Sequence, residues 1–232
     1  METKVKKLAT LALLALTASA MAQDKVEVNV GADVVSGYIW RGQDLGNVSL
    51  QPTLSIGYQG FSLTGWGSVG ISREDTKEFD LTLGYAANGF SISVTDYWFN
   101  NGPGYFHYGA KNTAHVFEAQ VGYDFGFLSA NWYTNFAGND GVNKNGNRAY
   151  ASYFNLTVPF SLGGLEWSAS AGATPWANTF YNGGANGFEV TDLSIGAAKE
   201  IRVTDQYSFP VFARAIWNPA TEGAYFVFGI GF

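Results

Sequence analysis

The feature that most constrains this chain is alternation of apolar residues with a period of two, and it is plainest in the last nine residues, AYFVFGIGF, residues 224–232. Ala224, Phe226, Phe228, Ile230 and Phe232 share one parity, while Gly229 and Gly231 fall on the other. Successive side chains of a strand point to opposite faces, so this stretch is a strand with one wholly apolar face. A bare apolar strand at the edge of a soluble sheet invites aggregation. In a transmembrane barrel the same strand closes the wall, and its apolar face meets lipid.

The pattern recurs along the chain. Val26, Val28, Val30, Ala32 and Val34 oppose Glu27, Asn29, Gly31 and Asp33, and the apolar parity continues through Tyr38 and Trp40, with Arg41 on the polar parity. Amphipathic aromatics at those two positions suit a membrane interface. Gly42 to Ser49 reads as a polar loop. Further alternating runs are expected over 50–58, 61–71, 79–85, from 90 onward, and over 115–123, 128–136, 150–158, 165–173, 193–197, 209–217 and 224–232. In the run from Phe90, Asp96 falls on the apolar parity, so either it lies above the apolar band or a bulge resets the register. Twelve strands result, and their connections alternate between long and short. Long loops at one end and tight turns at the other are what an antiparallel up-and-down transmembrane β-barrel requires.

Composition agrees. After residue 22 no run approaches the roughly 18 apolar residues of a membrane helix. Aromatics make up 16% and charged residues only 14% of the 232 residues, less charge than a secreted β-sandwich surface carries. Residues 1–22 read as a signal peptide: lysines at 4, 6 and 7, an apolar run from Leu8 to Ala20, then the small-x-small triplet Ala20-Met21-Ala22. The barrel is expected over 23–232. The leader carries three lysines against Glu2, a net +2, so removing it takes the net charge from −6 to −8. That argues against nucleic acid as a partner. There is no cysteine, hence no disulfide framework in an exported protein.

No cofactor or metal is expected. Asn139 to Gly146 looks like a calcium loop, but Gly141 stands where the first acidic ligand would be needed. The two histidines, His107 and His115, are followed two residues later by Gly109 and Phe117. Barrel phospholipases and lipid A deacylases place Ser there, so the reading is not an enzyme, and each histidine is taken as an interfacial or loop aromatic. The charges on the inner parity are Glu27, Asp33, Arg41, Asp80, Glu118, Glu166, Asp192 and Arg214. They are the pore-lining candidates, and their acidic excess implies a mild preference for cations. The alternative is that they pair and fill a narrow interior. The loops at 100–113 and 174–187 carry Phe106, Tyr108, Trp176, Phe180 and Tyr181, aromatics that either stack on a solute, cap a pore or simply pack.

Three segments together resemble the TorF-like porin family of Gram-negative bacteria: ADVVSGYIWRG at 32–42, EFDLTLGY at 78–85 and VFEAQVGY at 116–123. The match in order and approximate spacing covers most of the chain after the leader. The resemblance implies a β-barrel of the cell outer membrane with porin transport activity, and it picks out Arg41, Asp80 and Glu118. It also implies that the strand ending in Phe232 is what the barrel insertion machinery recognises. The longer aromatic loops depart from the family pattern. The expected function is passive diffusion of small hydrophilic solutes. A closed structural or adhesive barrel is the alternative, and a lipid-modifying barrel enzyme a third.

Overall fold

The computed structural model describes residues 25–110, 112–184 and 187–232. The expected leader, residues 1–22, lies outside them. Among the described residues all regular structure is β: β1 (Glu27–Val35), β2 (Tyr38–Trp40), β3 (Gln43–Gly46), β4 (Ser49–Tyr58), β5 (Phe61–Gly70), β6 (Lys77–Ala87), β7 (Phe90–Phe99), β8 (His115–Asp124), β9 (Ser129–Gly138), β10 (Ser152–Leu162), β11 (Leu165–Thr174), β12 (Glu189–Arg202), β13 (Ser208–Asn218) and β14 (Gly223–Gly231). Twelve of them close an antiparallel barrel in the order β1-β14-β13-β12-β11-β10-β9-β8-β7-β6-β5-β4, while β2 and β3 pair only with each other.

Cross-strand partners share a face, so the two surfaces of the wall can be read off the register. One row runs Ile56, Leu63, Leu83, Val94, Ala119 across five strands. Its larger members are exposed on the outside. The adjacent row, Ser55, Thr64, Thr82, Thr95, Glu118, faces the lumen. There the hydroxyls pair directly, Ser55 with Thr64 at 2.8 Å and Thr82 with Thr95 at 2.9 Å. Alternation in sequence has become an apolar outer wall and a hydroxyl-lined inner one.

Tight turns join the strands at one end. Asn88 and Gly89, between β6 and β7, both have positive φ (52° and 84°). That matches the right-handed twist of the flanking strands and favours the Asn-Gly pair found there.

Four expectations need correction. The first barrel strand ends at Val35 rather than running on through Trp40. Ser36 makes the last bonds to β14, its N–H donating to the Phe228 carbonyl at 2.9 Å, and after Gly37 the chain turns inward. The polar loop expected from Gly42 is instead the second arm of a hairpin whose two-residue turn is Arg41-Gly42, with φ of 51° and 80°. Tyr38 and Trp40 consequently sit inside the barrel and not at an interface. They are buried in a cluster with Tyr97, Val116, Tyr153 and Tyr181, while Ile39 packs on the other side against Val35, Phe212 and Val227. The core of this protein is its lumen, and the hairpin supplies much of it.

Asp96 lies on the outer face without a bulge, opposite Leu81 and Phe117. The aromatic connection between β7 and β8 folds over it. His115, fully buried, sits between the Asp96 carboxylate (Nδ1 to Oδ1 2.7 Å) and the Tyr105 carbonyl (Nε2 to O 2.5 Å), under the ring of Tyr108. His115 thus opens the strand expected from residue 115 and lies buried beneath the loop that follows β7. The strand expected over 193–197 is the longest in the barrel, Glu189–Arg202.

Candidate functional site

The inward hairpin organises the lumen. Its tip carries Arg41, which is 1% exposed, into a bidentate pair with Glu118 of β8, itself 2% exposed. Nη1 donates to Oε2 at 2.6 Å and Nη2 to Oε1 at 2.8 Å. Nη1 also donates to the Tyr181 hydroxyl. The guanidinium lies over aromatic faces, 4.0 Å from the Tyr133 centroid, 4.3 Å from Trp40 and 4.8 Å from Tyr153. Two phenols orient the carboxylate: Tyr97 donates to Oε1 at 2.8 Å and Tyr181 to Oε2 at 3.1 Å. A charge this deep is tolerated only where paired and hydrogen-bonded, and the knot meets both conditions.

Local structure places each member. Tyr97, Glu118, Tyr133 and Tyr153 stand on barrel strands. Tyr181 comes from the connection between β11 and β12, where buried Asn178 folds the loop inward. The Asn178 side-chain oxygen accepts from the N–H groups of Phe180 (3.1 Å) and Tyr181 (2.7 Å), and its amide donates to Thr174 at 2.8 Å. Gly42 lies against β12 and β13. Its carbonyl accepts from Asn218 Nδ2 at 3.0 Å, and a Cβ at this position would fall 1.7 Å from the Thr191 carbonyl oxygen.

A second polar group adjoins the first. Asp192 accepts from Arg214 at 3.3 Å and from the Tyr153 hydroxyl at 3.5 Å. Asp80 is buried and stands across from Trp66 and Tyr97. Glu78, beside it, accepts from the Tyr38 hydroxyl at 2.9 Å. Of the eight sequence candidates, the structure thus joins Arg41 to Glu118 and Arg214 to Asp192, with Asp80 nearby. Glu27, Asp33 and Glu166 stand apart. Glu27 is exposed at the barrel rim, Asp33 faces Gln51 and Gly231, and Glu166 is exposed and accepts from Ser161 at 2.7 Å. Arg41 reaches the lumen from a hairpin tip rather than from the wall.

Sequence reasoning named Tyr181 only as a loop aromatic that stacks on a solute, caps a pore or packs, and did not single out Glu78, Tyr97, Tyr133 or Tyr153 as site residues. Those four strand residues have the inner parity, which is the only signal they carry.

The connections after β9 and β11 cover the same end of the barrel. The Val142 N–H donates to Thr179 Oγ1 at 2.9 Å, and the Thr179 N–H donates back to the Val142 carbonyl at 3.0 Å. A cavity of about 260 Å³ is left there, lined by Phe99, Asn101, Val116, Asn139, Thr179 and Phe180 among others. At the base of the hairpin, Asp75 in the β5–β6 connection accepts from Asn47 Nδ2 at 2.9 Å and from the Ser72 N–H at 3.0 Å. These bonds, that of the Asn47 side chain foremost, hold its carboxyl below the usual range.

The class that fold and lumen define is a closed twelve-strand antiparallel β-barrel, apolar outside and mixed polar and aromatic inside, with an internal hairpin. No family model matches the chain, and no curated protein is similar to it in sequence. Among solved structures, a porin refined at 1.8 Å resolution aligns over 88% of this chain and 98% of its own, with 10% identity and a TM-score of 0.36. That likeness is too distant to carry weight.

Proposed function

We propose that this chain is a porin-like barrel of the outer membrane that passes small hydrophilic solutes by diffusion, with the inward hairpin and the β11–β12 connection narrowing the passage. The observation that carries the reading is the two-faced wall. An apolar belt faces outward on every strand, and between the aromatic and aliphatic clusters of the lumen Ser, Thr, Asn and Gln side chains line the inside, where a hydrated solute can exchange water for hydroxyl and amide contacts. The resemblance to TorF-like porins supports it, since two of the three residues it picks out, Arg41 and Glu118, meet in the lumen. Lipid around the barrel and insertion machinery acting on the strand that ends in Phe232 are the partners this reading requires.

The inner face carries more acids than bases. Asp33, Glu78, Asp80, Glu118 and Asp192 stand there against Arg41 and Arg214, which favours passage of cations. The buried Arg41–Glu118 knot favours a second reading, a closed structural or adhesive barrel whose lumen is filled by side chains. The lipid-modifying enzyme is not favoured: both ring nitrogens of His115 are engaged by Asp96 and a carbonyl. Planar-bilayer recordings of the purified, refolded protein decide between the first two. Discrete conductance steps with a cation-selective reversal potential are expected. A correctly folded but electrically silent barrel overturns the channel reading, and anion selectivity overturns the stated preference.

A further inference from the structure

We infer that the pocket around Glu118 is a binding site for guanidinium-bearing small molecules, occupied here by the chain's own Arg41 as a tethered competitor. The walls of the pocket belong to the barrel and one of its loops. Glu118 presents both carboxylate oxygens side by side, held by the Tyr97 and Tyr181 hydroxyls. Tyr133, Tyr153 and Tyr181 turn their rings toward the cation, 4.0, 4.8 and 5.6 Å from its central carbon. Everything on the ligand side comes from the hairpin tip, a two-residue turn reaching across the lumen.

The shape selects chemistry. A flat, delocalised cation with paired N–H donors satisfies a bidentate carboxylate and stacks between rings, whereas an ammonium is a strongly hydrated point charge that does neither as well. Aromatic rings within about 6 Å add cation–π attraction, stronger in a desolvated pocket. Nε of Arg41 has no protein partner. The pocket therefore reads the terminal fork of the group and not the stem behind it, so a free guanidinium compound can make the same contacts. Tethering gives Arg41 a high local concentration, so a free ligand competes only when the hairpin withdraws or is removed. As a statement about which solutes the passage admits, this inference rests on the channel reading; as a statement about binding, it does not.

The test uses the full barrel carrying Arg41→Ala, in detergent, titrated with methylguanidinium chloride and, at matched ionic strength, with methylammonium chloride. A saturable rise in unfolding temperature is expected, with an apparent affinity for methylguanidinium about tenfold or more above that for methylammonium. The rise should vanish when Glu118→Gln is added. Equal responses to the two salts, or a response that survives Glu118→Gln, overturn the inference. If Arg41→Ala does not fold in buffer but folds in methylguanidinium and not in methylammonium, that supports it. If it folds in neither, a barrel with residues 38–46 replaced by a short Gly-Ser linker keeps the pocket walls, and absence of a selective rise there overturns the inference. Conductance of the same samples separates the two claims. A silent barrel that binds methylguanidinium retires the channel and keeps the pocket, and a conducting barrel without selective binding does the reverse.

Discussion

At the scale of single residues, Arg41 and Glu118 dominate because their energies are the most unequal. Each is nearly inaccessible, so neither charge is compensated by solvent, and each depends on the other. Removing one partner of a buried pair leaves a desolvated charge and costs about 3–5 kcal/mol, whereas neutralising both costs much less. Glu118→Gln is therefore expected to lower the unfolding free energy by an amount in that range, read as a lower urea midpoint at unchanged slope. Arg41→Gln combined with Glu118→Gln should recover a large part of the loss, with an unchanged denaturant slope. Equilibrium unfolding of the two single variants and the double variant checks this. Additive losses would show that the two side chains do not act as a pair. The residue types of both and the inner parity of Glu118 were legible in the sequence, whereas the parity read for Arg41 belonged to a strand that ends at Val35, and the partnership of the two was not legible. They are 77 residues apart, and only closure of the barrel, together with the inward turn after Val35, brings them within a hydrogen bond.

The elements divide in the same way. The twelve wall strands were readable because each has one buried and one exposed face, and a single-residue slip would put every side chain on the wrong side. The hairpin was not, for a physical reason. Alternation reports only that a face is apolar, and in this barrel both the outside and the aromatic lumen reward apolar groups. Tyr38 and Trp40 continue the parity of the Val26–Val34 run while belonging to the opposite environment. The local signal that could have marked the break is Gly37 followed by Arg41-Gly42, a turn pair with both φ positive. Gly42 should then be the position where the hairpin is most sensitive. A methyl group there would collide with the Thr191 backbone of β12, and the positive φ disfavours any side chain. Gly42→Ala is expected to lift the tip from its seat without unmaking the wall. Because the chain has no cysteine, a single Leu45→Cys on β3 reports the change. Thiol labelling should be several-fold faster in the Gly42→Ala background, with barrel content by circular dichroism unchanged. Equal labelling rates would mean that the hairpin tolerates the methyl by some other adjustment.

For the whole molecule, closure is the decisive event, because an antiparallel wall with open edges leaves rows of backbone N–H and C=O groups unpaired. The seam is also the shortest pairing in the barrel. β1 and β14 share only the partners Asp33–Gly231, Val34–Ile230 and Val35–Gly229, whereas β1 pairs with β4 along its full length. Beyond those three, the seam is extended at one end by Ser36, bonded to Phe228, and at the other by Phe232. Its N–H donates to the Ala32 carbonyl at 2.9 Å, and its carbonyl accepts from the Ala32 N–H at 3.2 Å. Deleting this one residue removes two backbone hydrogen bonds from a seam with few, along with an exposed aromatic on the apolar parity of the closing strand. The effect should fall on assembly and not on selectivity, since the residue touches neither the hairpin nor the Glu118 pocket. The folded fraction after dilution from urea into detergent or lipid, read as heat-modifiable migration, is expected to drop several-fold, with the folded remainder keeping whatever ion selectivity the parent shows. A deletion variant that folds as well as the parent would show that the three register pairs and the Ser36–Phe228 bonds suffice to hold the seam. One that folds but changes selectivity would place the closing strand's influence inside the lumen, where nothing in the register puts Phe232.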